Sequence, residues 1–391
     1  MQTKDFKTRT IIRNREFPSV EGFYGISLDV GYSAVKGIGP HGYYCIPSYV
    51  RKRDADVISL REENDTDILY RDKSGLWSVG ELAYQELSTS EIIGSETELY
   101  TRMRYYSPSF IIPARVGIAL SLLPDMAGCA EGKTIAVQTG LPPKYMDEDR
   151  KYITDVLSGT HEFELKVGAA SWVKYQFYIP RENIYIMPQP MGSMISVSVG
   201  SDGRPVPDAR KYLSSNVVIL DPGFGTLDDY EVVKGTIQGK GETSPELGMR
   251  EVLTRTCKDL YETYGIKLQV PQLQERLEDG RVWINDIRNM TRRAVDFSSF
   301  LGKNCRSVCA DALEKMKTVH GYFRNTDYII GTGGTYDAWK DDFTEAFKGM
   351  EGLQIIPGNI NDQTLPNIFS NSRGYYFRLI DALKKKQRRL S

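Results

Sequence analysis

Apolar and polar positions along the chain change period repeatedly, and the changes mark its elements. The run from Tyr24 to Val30 is too short for a helix and reads as a strand. Strands over Ala34–Ile38 and Tyr43–Ile46 follow, with a glycine-containing turn at 41–42 between them. Segment 51–75 is charged and reads as a mobile surface excursion, and Trp77–Ala83 as a strand entering a helix. Residues 108–124 place apolar side chains almost all round a helix, which predicts a buried one. Thr134–Gln138 is a strand ended by Thr139-Gly140-Leu141-Pro142-Pro143, and a hairpin-like stretch over Phe163–Ile179 precedes the run Ile184–Pro190. Residues 199–215 are turn-rich and mark an insertion or a lobe boundary. Strands at 216–221 and 229–235 then restart the pattern, with helices predicted at about 246–264, 270–278 and 282–318. Strand Tyr328–Ile330, a helix at 336–348, a strand at 353–356 and a terminal helix at about 371–388 close the chain.

Strands alternating with helices in two halves predict an α/β protein of two lobes, and 391 residues exceed what one small core needs. Residues 1–21 are polar and rich in Lys and Arg, and read as an extension outside the core. Hydrophobic residues make up 40% and charged residues 26%, as in an ordinary soluble globular protein. A net charge of −1 excludes a surface that binds nucleic acid as a whole. No apolar run approaches the roughly 20 residues of a membrane span, and the start has no apolar signal core. The five cysteines are scattered; Cys305 and Cys309, spaced i, i+4 on a helix, read as buried free thiols of a reducing cytoplasm rather than as a zinc pair. Three histidines leave little material for a histidine-based nucleophilic mechanism. The basic end, Lys384 to Arg389, fits positive charge at a helix C-terminus, with a filament or nucleic-acid contact as the alternative.

Three strand ends carry the candidate chemistry. The first is Asp29-Val30-Gly31-Tyr32-Ser33, with Lys36 seven residues after the acid and within reach of a phosphate if the strands fold back as a hairpin. The second is Asp221-Pro222-Gly223-Phe224-Gly225-Thr226, where Thr226 can donate a hydroxyl and Asp228 faces solvent or caps a turn. The third is Gly331-Thr332-Gly333-Gly334 at a strand-to-helix junction, followed by Tyr336, whose ring either stacks on a base or packs. Glycines let backbone N–H groups approach an anion, and an acid beside them can hold a cation. Each element alone also fits a plain β-turn or close helix–strand packing.

In this order the three elements resemble the actin-like ATPase superfamily over most of residues 22–380. Asp29, Gly31 and Lys36 match its phosphate-1 pattern; Asp221, Gly223, Gly225 and Thr226 match phosphate-2; Gly331, Gly333 and Gly334 match the adenosine motif. Met187-Pro188-Gln189-Pro190, the Asn371-Ser372-Arg373-Gly374 signature and Trp77–Ala83 resemble segments of the plasmid-segregating actins of the ParM type. The resemblance implies two ribonuclease-H-like βα domains with a nucleotide cleft between the lobes. Domain I would span 22–213, with the terminal helix 366–391 returning to it, and domain II 214–365. Tyr32 stands where actin has a phosphate-contacting serine, which shifts that contact to Ser33 or to backbone N–H groups. Gln189 stands where some ParM-type proteins have Glu; an amide orients water but is no strong base. Pro222 removes one N–H from the second turn and shifts weight to Gly223, Phe224 and Gly225.

The implied reaction is ATP hydrolysis, with GTP as an alternative that a pocket built from backbone tolerates. Mg²⁺ would be held through water by Asp29 and Asp221, and Gln189 would align the attacking water. A kinase would need a carboxylate in the place of Gln189, and a chaperone a peptide-binding domain for which no residues remain. Residues 1–21 make a poor membrane face. The resemblance therefore implies a cytoplasmic filament of the chain's own copies that segregates plasmid DNA through an adaptor bound to centromere-like DNA, with neither a membrane partner nor direct sequence-specific DNA binding. Another bacterial or phage actin-like filament, or a soluble kinase or phosphatase of the same superfamily, is the alternative.

Overall fold

A computed structural model describes residues 2–54, 62–99, 102–129, 132–286 and 288–390. The chain divides into two units: Thr8–Arg210 together with the segment from Gly358 onward, and Lys211–Pro357 together with the residues through Lys7.

The first unit contains β1 (Ile11–Asn14), β2 (Phe23–Val30), β3 (Ala34–Gly39), β4 (Gly42–Pro47), β5 (Val50–Arg53), β6 (Ile68–Asp72), β7 (Gly75–Val79), β8 (Thr134–Leu141), β9 (Gly159–Val167), β10 (Val173–Ile179) and β11 (Ile184–Pro188). Its helices are α1 (Glu81–Glu86), α2 (Thr89–Leu99), α3 (Pro108–Ser121), α4 (Met146–Leu157), α5 (Gln189–Ser198) and a closing helix (Ser370–Leu390); α6 (Ala209–Ser214) lies at the boundary of the units. One sheet runs β1-β4-β3-β2-β8-β11 and another β10-β9-β6-β7-β5. Alternation along β2 loads both faces of the first sheet. Tyr24, Ile26 and Leu28 share a core with Phe110, Ile112 and Val116 of α3. Gly25 faces the other way, where an added Cβ would lie 3.4 Å from Leu379, Ile380 and Leu383 of the closing helix.

In the second unit the strands are β12 (Asn216–Pro222), β13 (Leu227–Val233), β14 (Thr236–Ser244), β15 (Arg281–Asp286), β16 (Thr291–Asp296), β17 (Tyr328–Gly331) and β18 (Gln354–Pro357). The helices are α7 (Met249–Tyr264), α8 (Val270–Arg276), α9 (Ser298–Val319) and α10 (Gly334–Phe347). The main sheet runs β14-β13-β12-β17-β18. Its pairings are antiparallel, antiparallel, parallel and parallel. The stretch β4-β3-β2-β8-β11 of the first unit has the same order and the same directions. One plan is therefore used twice, as expected of two α/β lobes.

Three expectations need correction. Residues 1–21 are not outside the core. β1 pairs with β4, and Phe17 and Val20 are buried beside Tyr376 and Leu379. Few apolar residues mark this stretch, and its place comes from the unpaired edge of β4. Second, residues 282–296 are a two-stranded hairpin rather than the start of a long helix. Val282, Trp283 and Ile284 favour a strand, and α9 begins only where the Asp296 carboxylate accepts the Ser298 amide at 2.8 Å. Third, the segment expected as a charged excursion contributes β5 and β6 to a sheet, while residues 55–61 of it lie outside the described residues.

Phe17 packs edge-on against Tyr376 with ring centroids 5.6 Å apart, and Tyr376 donates its hydroxyl to Pro18 O at 2.9 Å. Phe17→Ala is expected to lower unfolding free energy by about 3 kcal/mol, measured by urea denaturation. A segment lying outside the core would show almost no change.

Candidate functional site

In the first unit, Asp29 sits at the end of the central strand β2, and register places Lys36 of β3 directly opposite. A buried carboxylate needs a partner. The Lys36 ammonium supplies it at 2.9 Å from Asp29 Oδ2. The turn between them is tight. Gly31 N donates to Ala34 O at 3.0 Å, and Ser48 donates its amide to Ser33 O and its hydroxyl to Gly31 O, both at 3.0 Å. Tyr32 projects from this turn, with the Arg104 guanidinium 5.0 Å from its ring centroid.

Gln189 is the first residue of α5, directly after β11, and is half-buried. β2, β8 and β11 run parallel, so Asp29 and Gln189 both lie at the carboxyl edge of the sheet, where α/β proteins bind ligands. The Asn371–Gly374 signature clamps α5. Ser193 donates its hydroxyl to Asn371 Oδ1 at 2.6 Å, and a Cβ on Gly374 would lie 1.8 Å from Gly192 O. Arg373 is fully buried and donates to Ser196 O and, at 2.9 Å, to Val199 O, the carbonyls at the C-terminal end of α5. Its Nε lies 3.7 Å from Asp362 Oδ2, and Arg15 holds the same carboxylate through two hydrogen bonds of 3.1 and 2.7 Å. Burial lowers the Arg373 guanidinium to about 10, which leaves it charged at neutral pH. Burial acts to raise Asp362, but the Arg15 and Thr364 hydrogen bonds and both guanidinium charges outweigh it and hold the carboxyl below its ordinary range.

In the second unit, Asp221 stands at the end of β12, with Gly331 at the end of the parallel β17 beside it. The second and third motifs lie side by side. Gly333 caps α10 at φ +84, where an added Cβ would lie 2.8 Å from Asp221 Oδ1. Thr335 donates its hydroxyl to Gly223 O at 2.9 Å. The first amides of α7 are taken by the phosphate-2 turn: Met249 N donates to Gly223 O at 3.2 Å and Arg250 N to Phe224 O at 2.7 Å. Gly225 and Thr226 pack close to Gly248, whose added Cβ would meet both at 2.8 Å. Gly334, the first residue of α10, leaves the helix N-terminus beside Asp221 without a side chain.

Two readings left open by the sequence gain a structure here. Tyr336 does not offer its ring to a base; it is buried in the core next to Phe343, and an added Cβ on Gly331 would lie 2.0 Å from that ring. Gly331 is needed for that packing. Asp228 is partly exposed, and its carboxylate is engaged by neighbouring hydroxyls. It lies opposite Asp221 across β12 and β13 and accepts the hydroxyls of Thr226 at 3.1 Å and Thr243 at 2.7 Å. The Thr226 hydroxyl is thus spent on a side chain of its own unit. Sequence reasoning also missed Arg104, which no motif marks, and the roles of Arg15 and Asp362.

Residues 27–192 match the family of actin-like protein N-terminal domains. Among solved structures, a non-polymerisable quadruple mutant of pCBH ParM is 20% identical with TM-score 0.68, covering 93% of this chain and 99% of that one. The actin-like protein Alp7A is 15% identical with TM-score 0.65, covering 93% and 98%. The fold is actin-like. Bacillus thuringiensis ParM with ADP shares this actin-like fold at 15% identity and TM-score 0.58, covering 94% and 100%. No curated protein matches the chain by sequence. Among the described residues no helix is long and apolar enough to cross a membrane, and no group of three or more His, Cys, Asp or Glu side chains could hold a metal.

Burial pushes the Asp228 carboxyl up to about 6; the Thr243 hydroxyl opposes this, and the Asp221 charge adds to it. The folded chain therefore binds a proton there that the unfolded chain has released, and stability falls as pH rises from about 4 to about 6. Without nucleotide or Mg²⁺, Asp228→Asn is expected to be more stable than the parent by roughly 3 kcal/mol above that window, with no difference below it. Denaturant unfolding across pH checks this; a difference independent of pH contradicts it.

Proposed function

We propose that this chain binds and hydrolyses a nucleoside triphosphate, and that this cycle switches a filament of the chain's own copies. The observation that carries the reading is the repeated five-strand plan, which ends its first strand in Asp-x-Gly both times, at Asp29–Gly31 and at Asp221–Gly223. The likeness to a ParM solved with ADP and to another described as a non-polymerisable mutant supports nucleotide binding and self-assembly. On the sequence resemblance to plasmid-segregating actins, the cargo we assign is plasmid DNA, reached through an adaptor on centromere-like DNA, in the cytoplasm.

Asp29 and Asp221 are the residues that would hold Mg²⁺ through its waters. The carboxylates fit this: each ends a central strand, and Gly333 brings no Cβ of its own against Asp221 Oδ1. Bound there, Mg²⁺ neutralises charge on the phosphate oxygens. Lys36, Gly31, Ser33 and the Gly223–Gly225 turn balance the same charge from the protein side. The α10 N-terminus at Gly333 and Gly334 receives the nucleoside, ATP or GTP, against bare backbone. Gln189 orients the attacking water by accepting one of its protons in a hydrogen bond and donating another; it removes none.

Light scattering and phosphate release on the same samples test the reading. Scattering should rise with ATP and Mg²⁺ and fall as phosphate appears; a chain that hydrolyses ATP yet stays monomeric contradicts the filament. Gln189→Ala is expected to slow phosphate release about ten- to a thousand-fold while filaments form and persist longer. Asp221→Ala should also weaken nucleotide binding. Unchanged release in Gln189→Ala would remove its assigned role.

A further inference from the structure

Arg104 lies in the single turn Arg102–Tyr106 that leads into α3, and it is half-buried. Three rings surround its guanidinium: Tyr32 at 5.0 Å, Tyr105 at 5.1 Å and Phe110 at 6.0 Å from their centroids. The backbone beneath is fixed, since Ser107 donates its amide at 3.0 Å and its hydroxyl at 2.8 Å to Arg104 O. The one polar contact of the guanidinium among the described residues is the Tyr105 hydroxyl at 3.5 Å, which itself donates to the buried Asp149 carboxylate at 2.8 Å, so that acid meets the guanidinium only through the hydroxyl. A half-buried cation normally takes a counter-ion. Ring faces attract and orient a guanidinium but leave its charge uncancelled. One of these rings, Tyr32, belongs to the turn that follows Asp29 and Gly31.

We propose that Arg104 supplies a cation from within the chain to the terminal phosphate of the bound nucleotide, and that Tyr32 is its seat. The inference rests on the nucleotide reading above. A planar, always-charged fork held by aromatic faces suits the charge that spreads over the transferred phosphoryl oxygens. It also accounts for Tyr32 at a position where a serine could touch phosphate itself: the aromatic ring gives up that contact and positions a stronger one. Arg104 therefore contributes more to turnover than to binding. Nucleoside diphosphate, which lacks the terminal phosphate, does not feel it.

The test compares phosphate release under single turnover, ADP affinity by fluorescence titration, and thermal unfolding. Arg104→Ala is expected to release phosphate about a hundred- to a thousand-fold more slowly, with ADP affinity and melting temperature nearly unchanged. Arg104→Lys should fall between, keeping the charge but not the fork. Tyr32→Ser should slow release as well, and the double variant should be no slower than Arg104→Ala alone, because the ring acts through the guanidinium. Parent-like release in Arg104→Ala, or equal losses in ADP affinity and release, overturns the assignment. Multiplying losses in the double variant overturn the seat. A parent protein that binds ADP but releases no phosphate from ATP or GTP overturns the hydrolysis reading instead, and a parent that binds neither overturns the nucleotide reading itself.

Discussion

Each unit has to keep a carboxylate at the end of its central strand, where backbone and solvent meet, without burying an uncompensated charge. The two units meet this constraint differently. In the first, a hairpin one turn long brings Lys36 opposite Asp29, and the ion pair makes the acid tolerable where burial alone would disfavour it. In the second, space does the work. Gly333, at positive φ, brings no Cβ against Asp221 Oδ1, and the nearby Asp228 is held by two hydroxyls and raised in pKa rather than neutralised by a cation. The same strand plan therefore presents one acid to a lysine across the hairpin and the other to a helix N-terminus that brings no Cβ against it.

A second charge problem is handled deeper in the first unit. Arg373 is fully enclosed, a costly place for a guanidinium unless every donor is used well. Its partners are the last carbonyls of α5 and the Asp362 carboxylate, which Arg15 shares. Carbonyls at a helix C-terminus are the groups that lack partners and carry the negative end of the dipole. One side chain thereby fixes the far end of the short helix that begins at Gln189, and ties it to segments from both ends of the chain.

Much of this was legible in the sequence because it is local. An apolar run that stops at an acid and a glycine announces a strand end, so Asp29, Asp221 and the Gly331–Gly334 junction could be found directly. The apolar positions around 108–121 announced a buried helix. What could not be read depends on packing between distant segments. β1 is a strand only because β4 has an edge to pair. Arg104 has meaning only once folding lays it on Tyr32. The hairpin at 281–296 misled because a few alternating residues beside a real helix fit either period. Tyr336 stayed open because a tyrosine after a glycine-rich turn looks alike whether its ring covers a ligand or the backbone of Gly331. Asn371–Gly374 was visible as a pattern, yet its work of capping α5 was not.

The path of the chain has a consequence for how it is made. The first unit is assembled from residues 8–210 and from the segment after 357, so the second unit is completed between its two parts. During synthesis the first sheet emerges with α3 available for one face, while Ala34, Ile38, Cys45 and Ala136 on the other await Tyr376, Leu379 and Leu383. That apolar surface stays open for the whole time the ribosome needs to make the second unit, at about 5–20 residues per second. Covering of that face thus waits for the helix Ser370–Leu390, and a chain released before it is made carries an uncovered apolar sheet.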